Sequence, residues 1–235
     1  MKKNSLSLAA MAAGFAIASS AVASVTFTGT GINPEVGVNA SGSAKFTISG
    51  DILTLVLTNT TAPRTTAQGN AMTGVTFNFS SGSTVLSLTS TAITAGGTYW
   101  TSKTTNAAAP SLAGSWTSAV VSNAQHQYGV ATTGFNGWFN GGSISLGNAA
   151  PNYGIVAAGT FDGTNVAFGG SQYPFVQSSM TFTFSGASGF TEAQITNVKL
   201  LFGTDGTGVI TAVPTPGSLA LAGLAGLVAA RRRRA

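Results

Sequence analysis

Through the middle of this chain apolar residues recur mostly at every second position, and no long stretch repeats at the helical period. Val25-Thr26-Phe27-Thr28 opens as a strand. Ala44 to Ser49 alternates, Gly50-Asp51 supplies a turn, and Ile52 to Thr58 carries on beyond it, which predicts a hairpin. Ile52 to Leu57 is almost continuously apolar and predicts a central strand covered on both faces. The Thr-rich run Asn59 to Gly69, with Pro63 and Arg64, reads as a loop. Val75, Phe77 and Phe79 share one face of a strand over Met72 to Phe79, and Val85 to Leu88 follows a Ser-Gly turn as the next strand. Thr89 to Gln127 has no clean period. Tyr99-Trp100 and Trp116 are expected there as anchors in a loop-rich insertion, and Ala107 to Pro110 breaks any regular element.

From Tyr128 to Gly170 glycines alternate with aromatics (Tyr128, Phe135, Trp138, Phe139, Tyr153, Phe161, Phe168). Short strands and tight turns are expected, with the aromatics capping an open end of the fold. Met180 to Phe184 alternates cleanly, and Ile195, Val198, Leu200 and Phe202 mark a last strand. Seven or more short strands in a Gly-rich, helix-poor chain predict an all-β domain, a β-sandwich of jelly-roll or immunoglobulin-like type, over residues 24–213. No fixed-period repeat is visible, which argues against a solenoid or propeller.

The two ends follow another pattern. Met1-Lys2-Lys3 precedes the small-residue apolar run Leu6 to Ala18, and Ala21-Val22-Ala23 offers an A-x-A cleavage site before Ser24. That order predicts a signal peptide over residues 1–23, read by a signal peptidase. At the other end Pro214 and Pro216 hold Val213 and Thr215 extended, so an exposed linker is expected. An uncharged Leu/Ala/Gly run to Ala230 comes next, then Arg231, Arg232, Arg233 and Arg234. As a helix, Gly217 to Ala230 would rise roughly 21 Å. A bilayer core is about 30 Å thick, so the run is marginal as a permanent span, and the arginines favour a cytoplasmic side.

Pro214-Thr215-Pro216, the apolar run and the four arginines closely resemble the PEP-CTERM sorting signal of exosortase-processed bacterial surface proteins. The resemblance covers Val213 to Ala235 and departs from the family at Thr215, where glutamate is usual. It implies an exosortase-type sorting protease as partner, transient anchoring in the inner membrane by the C-terminal helix, cleavage near Pro214 to Pro216, and delivery to the cell surface or extracellular matrix. Residues 214–235 are accordingly expected to be a sorting segment, helical and detached from the domain, as is the signal peptide. More loosely, Ala44 to Thr60 with Met72 to Phe77 looks like the first half of many surface domains in this family. Tyr128-Gly129-Val130 and Gly134-Phe135-Asn136-Gly137 look similar to the later half. No catalytic residues come with it.

Charge changes the picture only once the ends are set aside. The chain has ten basic and five acidic residues, and Lys2, Lys3 and the four arginines account for more than the whole excess. Lys45, Arg64, Lys103 and Lys199 then face Glu35, Asp51, Asp162, Glu192 and Asp205, a net charge near −1. Nucleic-acid binding has no electrostatic footprint here. With no cysteine and the single histidine His126, a His/Cys zinc cluster is excluded. No G-x-S-x-G elbow accompanies His126, so a surface position or loop packing is its expected role. Asp51 and Asp162 sit in turns and Glu192 beside one, which argues against a carboxylate pair for glycoside hydrolysis.

Asp205-Gly206-Thr207-Gly208 and Asp162-Gly163-Thr164-Asn165 each bring one carboxylate without EF-hand spacing; no cofactor is expected, with calcium held between distant loops left open. Sequons at Asn39, Asn59 and Asn78 mark polar loops or strand ends. Exposed Trp100, Trp116 and Trp138, with Tyr153, would suit stacking on sugar rings, although core packing suits most of them as well. The leading expectation is a non-catalytic structural or adhesive surface protein. A carbohydrate-binding module of an exopolysaccharide matrix is the alternative, and a secreted hydrolase using His126 and scattered acids comes third.

Overall fold

The computed structural model describes residues 23–63, 65–102, 106–107, 112, 115–118, 120–121, 126–140, 152–159 and 173–215. The strands, in chain order, are β1 (Val25–Asn33), β2 (Val38–Ser49), β3 (Ile52–Asn59), β4 (Met72–Phe79), β5 (Ser87–Ile93), β6 (Thr98–Trp100) and β7 (Asn106–Ala107). Short pieces follow as β8 (Thr117–Ser118), β9 (Val120–Val121), β10 (Tyr128–Ala131), β11 (Phe139–Asn140), β12 (Ile155–Val156) and β13 (Phe175–Gln177). The chain then forms β14 (Ser179–Ser185), β15 (Ile195–Phe202), β16 (Val209–Thr211) and β17 (Val213–Pro214). Helical geometry among the described residues is confined to 3-10 turns, and none is long and apolar enough to cross a membrane. The helices expected at the two ends, and the loop aromatics Phe161 and Phe168, lie outside the described residues.

Two sheets pack face to face, the all-β arrangement of a β-sandwich. Sheet one runs β17-β1-β2-β3-β14-β5, and sheet two runs β16-β15-β4-β12-β13-β6-β7, with β10 added beside β4 and β8 beside β10. Side chains alternate faces along a strand, so each sheet sends every second residue inward. Phe27, Phe46, Leu53, Leu55, Leu57, Phe182 and Phe184 of sheet one meet Val75, Phe77, Val198, Leu200 and Phe202 of sheet two in one buried core. The predicted hairpin is present: Ser49 pairs with Ile52 across Gly50-Asp51, and Gly50 takes the positive φ that a side chain would resist. The Asp51 carboxylate accepts the N–H groups of Gly186 and Ser188, fastening the neighbouring loop.

Three expectations are corrected. β3 is buried on one face only: Thr54, Val56 and Thr58 face outward half-exposed, and Ile52 is 40% exposed. The strand expected at Val85 to Leu88 begins at Ser87 and runs to Ile93, leaving Val85 82% exposed, because pairing with β14 sets its bounds. Phe135 and Phe139, which follow β10, do not plug an open end. Leu200 and Phe202 point into the core, so Leu201 between them points out, where Phe135 and Phe139 cover it together with Ala131. Sheet two therefore carries a second, smaller apolar layer on its outer face.

One corner closes the sandwich beside its termini. After β16 the chain crosses at Ala212 from sheet two to sheet one, and the Ala212 N–H donates to Val198 O at 3.0 Å. β1 admits this crossing at Gly29, where an added Cβ would lie 2.9 Å from Ile210 Cγ2 and 3.0 Å from Thr211 O.

Candidate functional site

The described part of the tail is in the sheet. β17 pairs antiparallel with β1, Pro214 opposite Phe27 and Val213 opposite Thr28. The Thr215 N–H donates to Thr26 O at 2.8 Å and its hydroxyl donates to the same oxygen at 3.2 Å. The free linker expected from Val213 onward is thus corrected for Val213, Pro214 and Thr215. Proline suits this place because an edge strand can lack one N–H without opening a central ladder. Ala23 is exposed and Ser24 half-exposed directly ahead of β1. Since β1 and β17 run antiparallel, the chain enters at Ser24 and leaves after Thr215 at the same end of the sandwich. Ala21, Pro216 and Arg231, Arg232, Arg233 and Arg234 lie outside the described residues.

The three tryptophans occupy three different environments. Trp116 is 2% exposed in the core, 4.9 Å from the Phe182 ring, and its Nε1–H donates to Tyr153 O at 3.1 Å. Trp100 is half-buried against Ala71, Val156, Tyr173 and Phe175, with Nε1–H donating to Gln177 Oε1 at 3.1 Å. Trp138 stacks on His126 with centroids 5.4 Å apart and meets Phe135 edge-on. The expectation of exposed stacking surfaces is corrected for Trp116, whose ring faces are used up by core packing.

His126 is 5% exposed, with Nδ1 3.1 Å from Thr76 Oγ1. Burial lowers its pKa, and the positive charge of Lys199 adds to the effect. Its described partners are a hydroxyl, an indole face and a lysine. None is the carboxylate that orients a catalytic imidazole.

The described acids serve nearby N–H groups. Glu192 Oε1 accepts from the Ile48 N–H at 2.7 Å. Asp205 Oδ1 accepts both the N–H and the hydroxyl of Thr207 at 2.7 Å. Glu35 Oε2 accepts the Thr204 N–H at 3.2 Å; burial raises the Glu35 pKa above the usual carboxylate value, opposed by that bond and reinforced by Asp205. Among the described residues no three His, Cys, Asp or Glu side chains gather as metal ligands, and Asp162 lies outside them.

Sequence reasoning missed two features. Asn59, expected in a polar strand end, is 1% exposed; its Nδ2 donates to Asn70 O at 2.8 Å and Ile155 O at 2.7 Å, and its Oδ1 accepts the Thr61 N–H at 3.0 Å. It fastens the end of β3 in sheet one to β12 in sheet two. The second feature is an open side of the sandwich between β5 and β8. A groove of about 230 Å³ beside Leu86, Gln127 and Tyr128 shares Ser118 with one of about 330 Å³ over Leu88 to Thr91 and Trp116 to Thr117. Its lining is largely hydroxyl and aliphatic and carries no charge.

No protein-family model, characterised protein or solved structure matches the chain.

Proposed function

We propose that this is an exported protein sorted through its C-terminal segment to the cell surface or extracellular matrix, where the sandwich has a structural or adhesive role without catalysis. The observation that carries this reading is the pairing of β17 with β1. It brings Thr215, the centre of the sorting motif, beside Thr26, two residues from the proposed signal cleavage at Ser24. A domain tethered at both tags during export would hang from one end, and its opposite loops (Glu35, Gln68 to Asn70, Asp205) would face away from the membrane. The scarcity of charge supports a role in which hydroxyls and amides form the surface.

The finer fold is proposed as jelly-roll or immunoglobulin-like. It is supported by the way the chain alternates between the sheets, from β3 into sheet two at β4, back to sheet one at β5, and from β13 across Ser178 into β14. The end segments are proposed as helices detached beyond Ala23 and Thr215. Labelling intact, unpermeabilised native cells with an antibody to the sandwich tests the reading. Surface signal that is lost when Arg231 to Arg234 are replaced by serine is expected; retention of the protein in the cytoplasm would contradict it.

A further inference from the structure

We propose that two copies of this chain pair through β5, edge to edge and antiparallel, so that sheet one continues from one copy into the other. β5 is the end strand of sheet one and pairs only with β14. Just beyond it, the Thr94 N–H donates to Ser179 O at 3.1 Å. In an antiparallel ladder bonded residues alternate. Ala92 and Ser90 therefore also turn their backbone groups toward β14, and Thr91 and Ile93 turn theirs outward. No described residue bonds these outward groups, and Ser87, Thr89, Ser90 and Ala92 are exposed.

Sheet edges are usually blunted by shortness, proline or charge. The other described edges are shorter or interrupted: β17 has two residues including Pro214 and leaves Gly29–Asn33 of β1, with two glycines, beyond its reach, β16 has three, and β7 and β8 have two each. β5 has seven residues, Ser-Leu-Thr-Ser-Thr-Ala-Ile, without charge, proline or glycine. No charged residue occurs anywhere from 65 to 102, nor on β14 behind it. Its one irregularity is the register shift opposite Thr183 and Phe184, which leaves Ser90–Ile93 as a regular pairing segment. The longest edge among the described residues that a partner copy can offer β5 is therefore β5 itself. Such a contact is isologous, and it closes as a two-fold dimer. Near-zero charge on the domain removes the repulsion that would oppose it, and the half-buried Leu88 and Ile93 at the rim would gain cover.

The inference is independent of how the protein is sorted. Sedimentation of the full-length protein across a dilution series is expected to show a monomer–dimer equilibrium. Ser90→Lys, on the exposed outer face, should weaken the dimer about tenfold by placing like charges near each other across the junction, with the melting temperature unchanged at dilutions where both proteins are monomeric. The chain has no cysteine, so a single introduced thiol reports on the contact. Under mild oxidation Ser90→Cys or Ala92→Cys should give covalent dimers, and Lys45→Cys, exposed on β2, should not. A protein that stays monomeric at every concentration overturns the proposal. So does a dimer that survives Ser90→Lys and yields no crosslink from positions 90 or 92.

Discussion

Asn59→Ala should be among the more damaging single changes to a polar side chain in the sandwich. The substitution removes three hydrogen bonds, stranding the carbonyls of Asn70 and Ile155 and the N–H of Thr61. A buried group left without a partner costs about 1–3 kcal/mol, and water entering from the nearby loops would satisfy some of the three. A net loss of about 3 kcal/mol follows, a large share of the 5–15 kcal/mol that typically holds a domain together. At about 2–4 °C per kcal/mol for a chain of this size, the melting temperature should fall by about 6–12 °C. Asn39→Ala is the control, because Asn39 is an exposed sequon asparagine and should stay within about 0.5 kcal/mol of the parent. Thermal unfolding followed by circular dichroism measures both. A drop below about 2 °C for Asn59→Ala, or equal drops for the two variants, would refute the clamp between β3 and β12.

Gly29→Ala should destabilise the corner by about 1–3 kcal/mol, because the new methyl group meets Ile210 and the Thr211 carbonyl; denaturant midpoints measure it, and parent-like stability would mean that β16 can shift aside. His126 predicts a pH dependence. Burial first, and Lys199 second, lower its folded pKa, so the unfolded chain takes up the proton more readily. Stability should therefore fall as pH drops below about 6.5, and His126→Gln should flatten that part of the slope in urea titrations; identical slopes in the two proteins would contradict the burial argument.

Where one face of a strand is buried and the other wet, the residue pattern announces it, as at β2 and β14, whereas the apolar Val56 hid the wet face of β3. β5 was misplaced because Ser and Thr suit both faces and an edge strand takes its bounds from β14. β17 read as linker because prolines suggest one, whereas an edge tolerates Pro214 when its neighbours still bond. Leu201 went unassigned because a strand covered on both faces has no alternation to show. For Trp116, burial depends on contacts with Tyr153 and Phe182, far away in sequence. The same holds for Asn59, whose polar side chain looks like a surface signal until Ile155 closes over it. For the end segments the linear residue pattern is the whole argument, because residues 1–22 and 216–235 lie outside the described residues.

Intact mass measurement with terminal peptide mapping, on protein recovered from its native host, tests export and sorting at these ends directly. A chain that begins at Ser24 and ends near Pro214 to Pro216, with β17 kept against β1, is expected. A chain that still carries Arg231 to Arg234 would contradict sorting by cleavage and make the tail a plain anchor.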